Sequence, residues 1–133
     1  MAAIPEKYLD LLQQQKKAFA NLATVMADGS PQVTPVWFDY ADGVIRVNTA
    51  KGRVKSRTLK PGASIALAIM DPDNAYRYVQ IRGRVRRAVE HGADAHIDSL
   101  AKKYLGKDTY PFRQPGEVRV TYEIEPTSVS GMS

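Results

Sequence analysis

Two Asp-Gly pairs, Asp28-Gly29 and Asp42-Gly43, each stand between runs rich in β-branched and aromatic residues. An Asp-Gly pair supplies the positive φ values of a two-residue hairpin turn, so it joins strands that lie antiparallel. Residues 19–26, 32–40 and 44–49 are therefore predicted to be three successive antiparallel strands. Residues 64–70 form a compact apolar run that reads as a fourth. In 76–89, Val79, Ile81, Gly83 and Val85 alternate with Tyr78, Gln80, Arg82, Arg84 and Arg86, the two-residue period of a long half-exposed strand. Residues 117–125 repeat that period with Val118, Val120, Tyr122 and Ile124 on one face. Helices are predicted over Pro5 to Lys17, over 52–60 up to the Pro61-Gly62 stop, and over 94–106. In the last, Ile97, Leu100, Ala101 and Tyr104 form the stripe and Gly106 the terminator. Six hairpin-connected strands with about three short helices predict a mainly β fold, a closed or split antiparallel barrel, because closure removes exposed strand edges.

With 133 residues and 44% hydrophobic content the chain can bury one core and is too short for two ordinary domains, so residues 1–133 are expected to form a single domain. The absence of cysteine rules out disulfides, thiolate metal sites and a cysteine nucleophile. Two histidines, His91 and His96, are too few for a histidine metal cage, and no metal is expected. Both are expected at the surface, His91 at a strand-to-helix turn and His96 on the covering helix. The first 17 residues carry Glu6, Asp10 and glutamines where a leader or membrane span would be basic and then apolar, so a cytoplasmic protein without membrane attachment is expected.

The formal charge of +5 is local. From Gly43 to Met70 there is no acidic residue, while Arg46, Lys51, Arg53, Lys55, Arg57 and Lys60 carry six positive charges, more than the whole net excess. A concentration of this kind points to a discrete anionic ligand. At the step from the 44–49 strand into the helix beginning near Gly52, free backbone N–H groups and the side chains of Lys51, Arg53, Lys55 and Arg57 could converge on a phosphate. A solvated charged helix is the plainer reading of the same residues. Arg82, Arg84 and Arg86 beside Tyr76 and Tyr78 suggest a nucleic-acid surface, but no recognised nucleic-acid motif accompanies them, and no nucleic-acid partner is expected.

The stretch Gly29 to Phe38 (GSPQVTPVWF), then Val47-Asn48-Thr49 followed by Lys51 to Arg57 (KGRVKSR), resembles the pyridoxamine 5′-phosphate oxidase-like split-barrel superfamily. More closely it is similar to the branch that uses the deazaflavin coenzyme F420. Asp71 to Asn74, Arg77-Tyr78, Arg82 to Val85, Lys102 to Gly106 and Tyr110 to Arg113 extend the likeness over Ala20 to Gly131. The resemblance implies a homodimer with cofactor sites at the subunit interface. It places Lys55 at the flavin phosphate with Arg53 and Arg57 beside it. Val47, Asn48 and Thr49 would run along the polyol chain, Pro35, Val36 and Trp37 under the ring, and Tyr76, Arg77 and Tyr78 would approach from the next strand. Lys51 and Gly52, from the charge and helix-start reading above, complete the candidate cofactor set. The oxidase branch uses arginine and histidine near its C-terminus for pyridoxal phosphate, and Glu125 to Ser133 contain neither, which argues against vitamin B6 oxidation.

With no cysteine and no catalytic triad, the chemistry is assigned to the cofactor and no catalytic residue is named. The activity this implies is hydride transfer from reduced F420 to a conjugated acceptor such as an enone, quinone or tetrapyrrole. An FMN-dependent oxidoreductase and a non-catalytic flavin or deazaflavin carrier are the alternatives.

Overall fold

A computed structural model describes residues 2–133. A 3-10 helix, Glu6–Leu12, precedes seven strands: β1 (Ala20–Val25), β2 (Pro31–Val36), β3 (Asp39–Ala41), β4 (Val44–Ala50), β5 (Ser64–Asp71), β6 (Asn74–Val89) and β7 (Arg119–Met132). Helix α1 (Val54–Thr58) lies between β4 and β5, and α2 (Ala93–Leu105) between β6 and β7. All strand pairs are antiparallel, in the order β2-β1-β5-β6-β7-β4-β3. Leu22 of β1 and Val47 of β4 stand near opposite ends of that order yet belong to one buried cluster with Leu67, Ile81 and Ile124. The sheet must therefore curl round its core into a barrel. The split lies where the two edge strands, β2 and β3, fail to pair.

The barrel has seven strands where six were predicted, because residues 32–40 break at Trp37 and Phe38. Phe38 turns inward and is fully buried, while Trp37 turns outward and stacks on Tyr104 of α2 at 5.4 Å. The backbone freed by that break is satisfied by α2. Tyr104 Oη receives the Phe38 N–H at 3.3 Å, and Lys103 Nζ donates to the Phe38 carbonyl at 3.0 Å. Tyr104 also donates to the Ala18 carbonyl at 2.7 Å, so α2 fastens the segment before β1 to the segment before β3. The helix thus spans the split, with Ile97, Leu100 and Tyr104 against Trp37 and Tyr110 as a small second core.

Three other boundaries differ from expectation. The N-terminal helix is seven residues of 3-10 helix, not a longer α-helix. Its Tyr8, Leu11 and Leu12 are buried, and the glutamines that follow carry no apolar side chain to prolong that face. The helix after β4 begins at Val54 and is only five residues long. Finally, β7 runs on through Pro126 to Met132, since the register slip between Arg82 and Gly83 lets β6 pass a residue without a ladder N–H. Gly83 is needed there: a Cβ would stand 2.5 Å from the Glu125 carbonyl oxygen.

Candidate active-site cleft

A cleft of about 300 Å³ opens at the split, where the end of β2, the end of β4, the entry to α1, the face of α2 and the start of β7 converge. Phe19, Pro35, Val36 and Trp37, together with Ile97 and Leu100 of α2 and Tyr110 and Phe112 of the following loop, supply the apolar lining. Asn48, Thr49, Arg53, Lys55 and Arg119 supply the polar lining. Trp37 packs edge-on to Tyr110 at 6.1 Å, and Tyr110 in turn edge-on to Phe112 at 5.7 Å, so the apolar side is an aromatic chain suited to a flat conjugated ring.

Seven of the thirteen residues named from the sequence line this cleft: Pro35, Val36, Trp37, Asn48, Thr49, Arg53 and Lys55. Arg53 and Lys55 both reach the cleft with Arg53 preceding the helix in an extended conformation, so the four cations from Lys51 to Arg57 do not converge as a set. Neither makes an ion pair among the described residues. Burial pushes the Lys55 ammonium below its ordinary value, and the charge of Arg53 adds to that effect. An anion between them would relieve both costs.

The other six residues stand elsewhere. Lys51 pairs with Glu90 at 2.6 Å on the surface. Arg57 faces a separate hollow shared with Val25, Thr58 and Lys60. Val47 points into the barrel core. The Gly52 N–H is taken by Ser56 Oγ at 3.2 Å and the Lys51 N–H by the Val118 carbonyl at 2.9 Å, so these amides are not the free donors expected at the helix start. Arg77 holds the N-terminal helix to the barrel, through Asp10 at 2.6 Å, Asp71 at 2.9 Å and the Lys7 carbonyl at 2.6 Å. Tyr78 is exposed on the outer face of β6.

The structure also gathers polar residues that the sequence reading passed over. Arg119, on the strand but unnamed, is almost sealed in protein. Its Nε donates to Asn48 Oδ1 at 2.8 Å, its Nη1 to Glu117 Oε1 at 2.5 Å, and its guanidinium lies 5.2 Å over the Tyr110 ring. Burial alone would raise the Glu117 carboxyl, but the bond from Arg119 holds it below the ordinary range. Asn48 Nδ2 donates to the Ala93 carbonyl at 2.9 Å, which fixes which way the amide points, and lies 3.1 Å from His96 Nδ1. His96, expected on the surface, is buried: the side of α2 that carries it packs on β4 and β7, and Thr121 also lies 3.1 Å from Nδ1. No periodicity distinguishes this histidine from a solvated one, because it sits beside the apolar stripe of α2.

A curled antiparallel barrel with a cationic and aromatic cleft at its split defines a split-barrel protein. The chain belongs to the pyridoxamine 5′-phosphate oxidase family, whose model matches residues 4–133. Among solved structures it is similar to an F420 reductase at 34% identity and a TM-score of 0.80, covering 96% of this chain and 98% of that one. Two mycobacterial structures share the fold at lower identity. A conserved hypothetical protein of Mycobacterium tuberculosis is 22% identical with a TM-score of 0.68, covering 98% of this chain and 86% of that one. An FAD and heme binding protein of Mycobacterium smegmatis is 18% identical with a TM-score of 0.67, covering 96% and 70%. No curated protein matches the sequence at a significant level. Among the described residues no helix is long and apolar enough to cross a membrane.

Proposed function

We propose that this protein is an oxidoreductase that binds coenzyme F420 in the cleft and passes a hydride from its reduced form to a conjugated small-molecule acceptor. The observation that carries the reading is the cleft's two-part chemistry, a pair of cations that make no ion pair among the described residues beside an aromatic wall, in a chain 34% identical to an F420 reductase over nearly its whole length. Arg53 and Lys55 suit a phosphate, Asn48 and Thr49 suit hydroxyls of a polyol, and Pro35 to Trp37 offer a flat face for a tricyclic ring. The cofactor supplies the hydride when bound; the protein binds it, orients it and keeps water from the ring.

The cleft is at the small end of those that enclose a ligand, so a single chain covers only part of a cofactor with a long anionic tail. A second copy would complete it. Met70, Tyr78 and Met132 are paired across β5, β6 and β7 and are 46%, 36% and 52% exposed, an apolar row that fits a dimer contact. We assign the functional state to a homodimer on this ground, with light scattering at micromolar concentration as its check.

FMN is the second reading, because the same phosphate and ring contacts would serve it. Fluorescence titration of the apo protein with F420 and, separately, with FMN separates the two. Tight binding of F420 with weak binding of FMN is expected; the reverse assigns the chain to flavin chemistry, and binding of neither overturns the cofactor site. Turnover with a panel of enones and quinones then distinguishes the reductase from a carrier.

A further inference from the structure

The two cationic ends of the cleft differ in a way that assigns them different ligands. At one, Arg53 and Lys55 make no ion pair among the described residues, Arg53 feeling the Glu117 carboxylate only at longer range, and call for a full negative charge. At the other, Arg119 already shares its charge with Glu117, with side chains 3% and 5% exposed, so it suits a single oxygen and not the multiple charge of a phosphate. Two of the three nitrogens of Arg119 are committed, Nε to Asn48 and Nη1 to Glu117. Nη2 makes no hydrogen bond within the described residues, yet it is not among the sealed polar atoms without a partner, which are Thr34 Oγ1 and His96 Nε2. It is therefore reached from outside, and the open space that Arg119 borders is the cleft. A donor so placed, fixed by two hydrogen bonds and by Tyr110 beneath it, suits an oxygen that starts neutral and gains negative charge during reaction.

We propose that Arg119 Nη2 is the carbonyl-oxygen site of this cleft, the group that holds a conjugated acceptor by its oxygen. The assignment rests on the hydride transfer proposed above. Hydride addition to the far carbon of a C=C–C=O unit brings two electrons, breaks the C=C π bond and leaves the negative charge on the carbonyl oxygen. A proton from solvent then adds to the neighbouring carbon, so the acceptor gains a hydride and a proton while the reduced deazaflavin is oxidised. Arg119 stabilises the oxygen at the point where its charge is greatest. Asn48 is a positioning residue, since its carbonyl fixes Nε while the Ala93 carbonyl and His96 fix its amide.

The test uses apo protein and p-nitrophenol, a flat ring whose ionised oxygen imitates the charged carbonyl and whose phenolate absorbs in the visible, with nitrobenzene as the neutral control. Wild-type protein is expected to bind the phenolate more tightly than nitrobenzene, and Arg119→Gln to weaken phenolate binding about tenfold or more, as expected for one charge-assisted hydrogen bond, with nitrobenzene unaffected. Deazaflavin affinity should change less than phenolate affinity. Unchanged phenolate binding in a folded Arg119→Gln protein overturns the assignment, as does an equal loss of deazaflavin binding, which would make Arg119 part of the cofactor site. Should that variant fail to fold, Glu117→Gln keeps the question open to measurement: removing the counter-charge must tighten phenolate binding, and no change is a refutation. Because the probe is read without cofactor, failure of F420 to bind would be seen separately.

Discussion

His96 Nε2 lies 3.2 Å from Asp39 Oδ2, joining α2 to the start of β3 behind the cleft. The contact is within ion-pair range but is not aligned as a hydrogen bond. Asp39 is otherwise held by Arg46, which meets both carboxylate oxygens at 2.8 and 2.7 Å. Burial acts to raise the Asp39 carboxyl, but His96 and Arg46 together outweigh it and hold the group below its ordinary 3.8. A carboxylate depressed in the native state contributes stability that is fully present above the ordinary value and lost as pH falls through the native one. Asp39→Asn should therefore cost about 3 kcal/mol at pH 7, the scale of a buried pair losing one partner, with the difference from wild type shrinking below pH 4. Urea unfolding at pH 7 and pH 3 measures it; an equal deficit at both would show that the loss is not electrostatic.

The cations named from the sequence divide into those that line the cleft and those that do not, and mutation should follow the division. Arg53→Ala with Lys55→Ala is expected to weaken F420 binding about a hundredfold, as two charge-assisted contacts are removed, with little change in melting temperature. Arg57→Ala alone should leave affinity nearly unchanged, because its side chain faces the other hollow. Titration of the three proteins by cofactor fluorescence decides this, and a larger effect from Arg57 would move the phosphate to that hollow.

What could be read from the sequence was whatever depends on local pattern. Both Asp-Gly pairs stand in hairpin connections, though only Asp42-Gly43 has both φ values positive and the Asp28-Gly29 loop is longer; the alternation in β6 and the stripe and stop of α2 also recur, since each is set by residues within a few positions of one another. Gly106 does adopt the left-handed φ of 71° that ends α2. The break at Trp37 and Phe38 was not legible, because the groups that make it possible, Tyr104 and Lys103, come from a helix far along the chain. The same holds for the site. Arg53 and Lys55 announce themselves in a segment without acids, whereas Arg119 reads as one polar residue of an alternating strand until Glu117, Asn48 and Tyr110 are seen round it.

Trp37 is the only tryptophan in the chain and lines the cleft, so intrinsic fluorescence reports on its occupancy. Addition of F420 or of an aromatic acceptor should quench or shift the emission in a saturable way. Trp37→Phe should remove the signal while retaining a ring against Tyr104 and most of the affinity, as followed by cofactor fluorescence. Saturable binding without any change in tryptophan emission would place the ligand away from β2.

Gly83 allows the β6–β7 ladder to slip beside Pro126, and its replacement should be felt in stability alone. A methyl group would meet the Glu125 carbonyl oxygen at 2.5 Å and Ile124 Cγ2 at 3.1 Å, and the first of these is backbone that cannot rotate away. Gly83→Ala is expected to cost about 1–3 kcal/mol, the range for overpacking, as a lower urea midpoint. A neutral result would mean that the slip relaxes freely.

Lys103 offers the opposite case from Asp39, a charge that the fold holds at a cost. Its ammonium is buried, donates to the Phe38 carbonyl at 3.0 Å, and lies 4.4 Å over the Phe38 ring. Burial pushes its pKa down to about 8 from 10.5, opposed only in part by the charge of Asp39. Below pH 8 native and unfolded chains both carry the proton and the full cost of burying it is present. Between pH 8 and 10.5 the unfolded chain binds more protons than the native one, so stability from this group must rise with pH. Lys103→Met keeps the length and removes the charge, and the one proton of Tyr104 Oη, 2.7 Å from the Ala18 carbonyl and 3.3 Å from that of Phe38, is then shared between the two. The variant should therefore match or exceed wild type at pH 7, and the gap should close as pH approaches 10. Urea unfolding at pH 7, 8.5 and 10 follows the difference between the two proteins, which cancels tyrosine ionisation common to both. A deficit in Lys103→Met that is constant with pH would mean that the ammonium is held for the strength of its bond to Phe38.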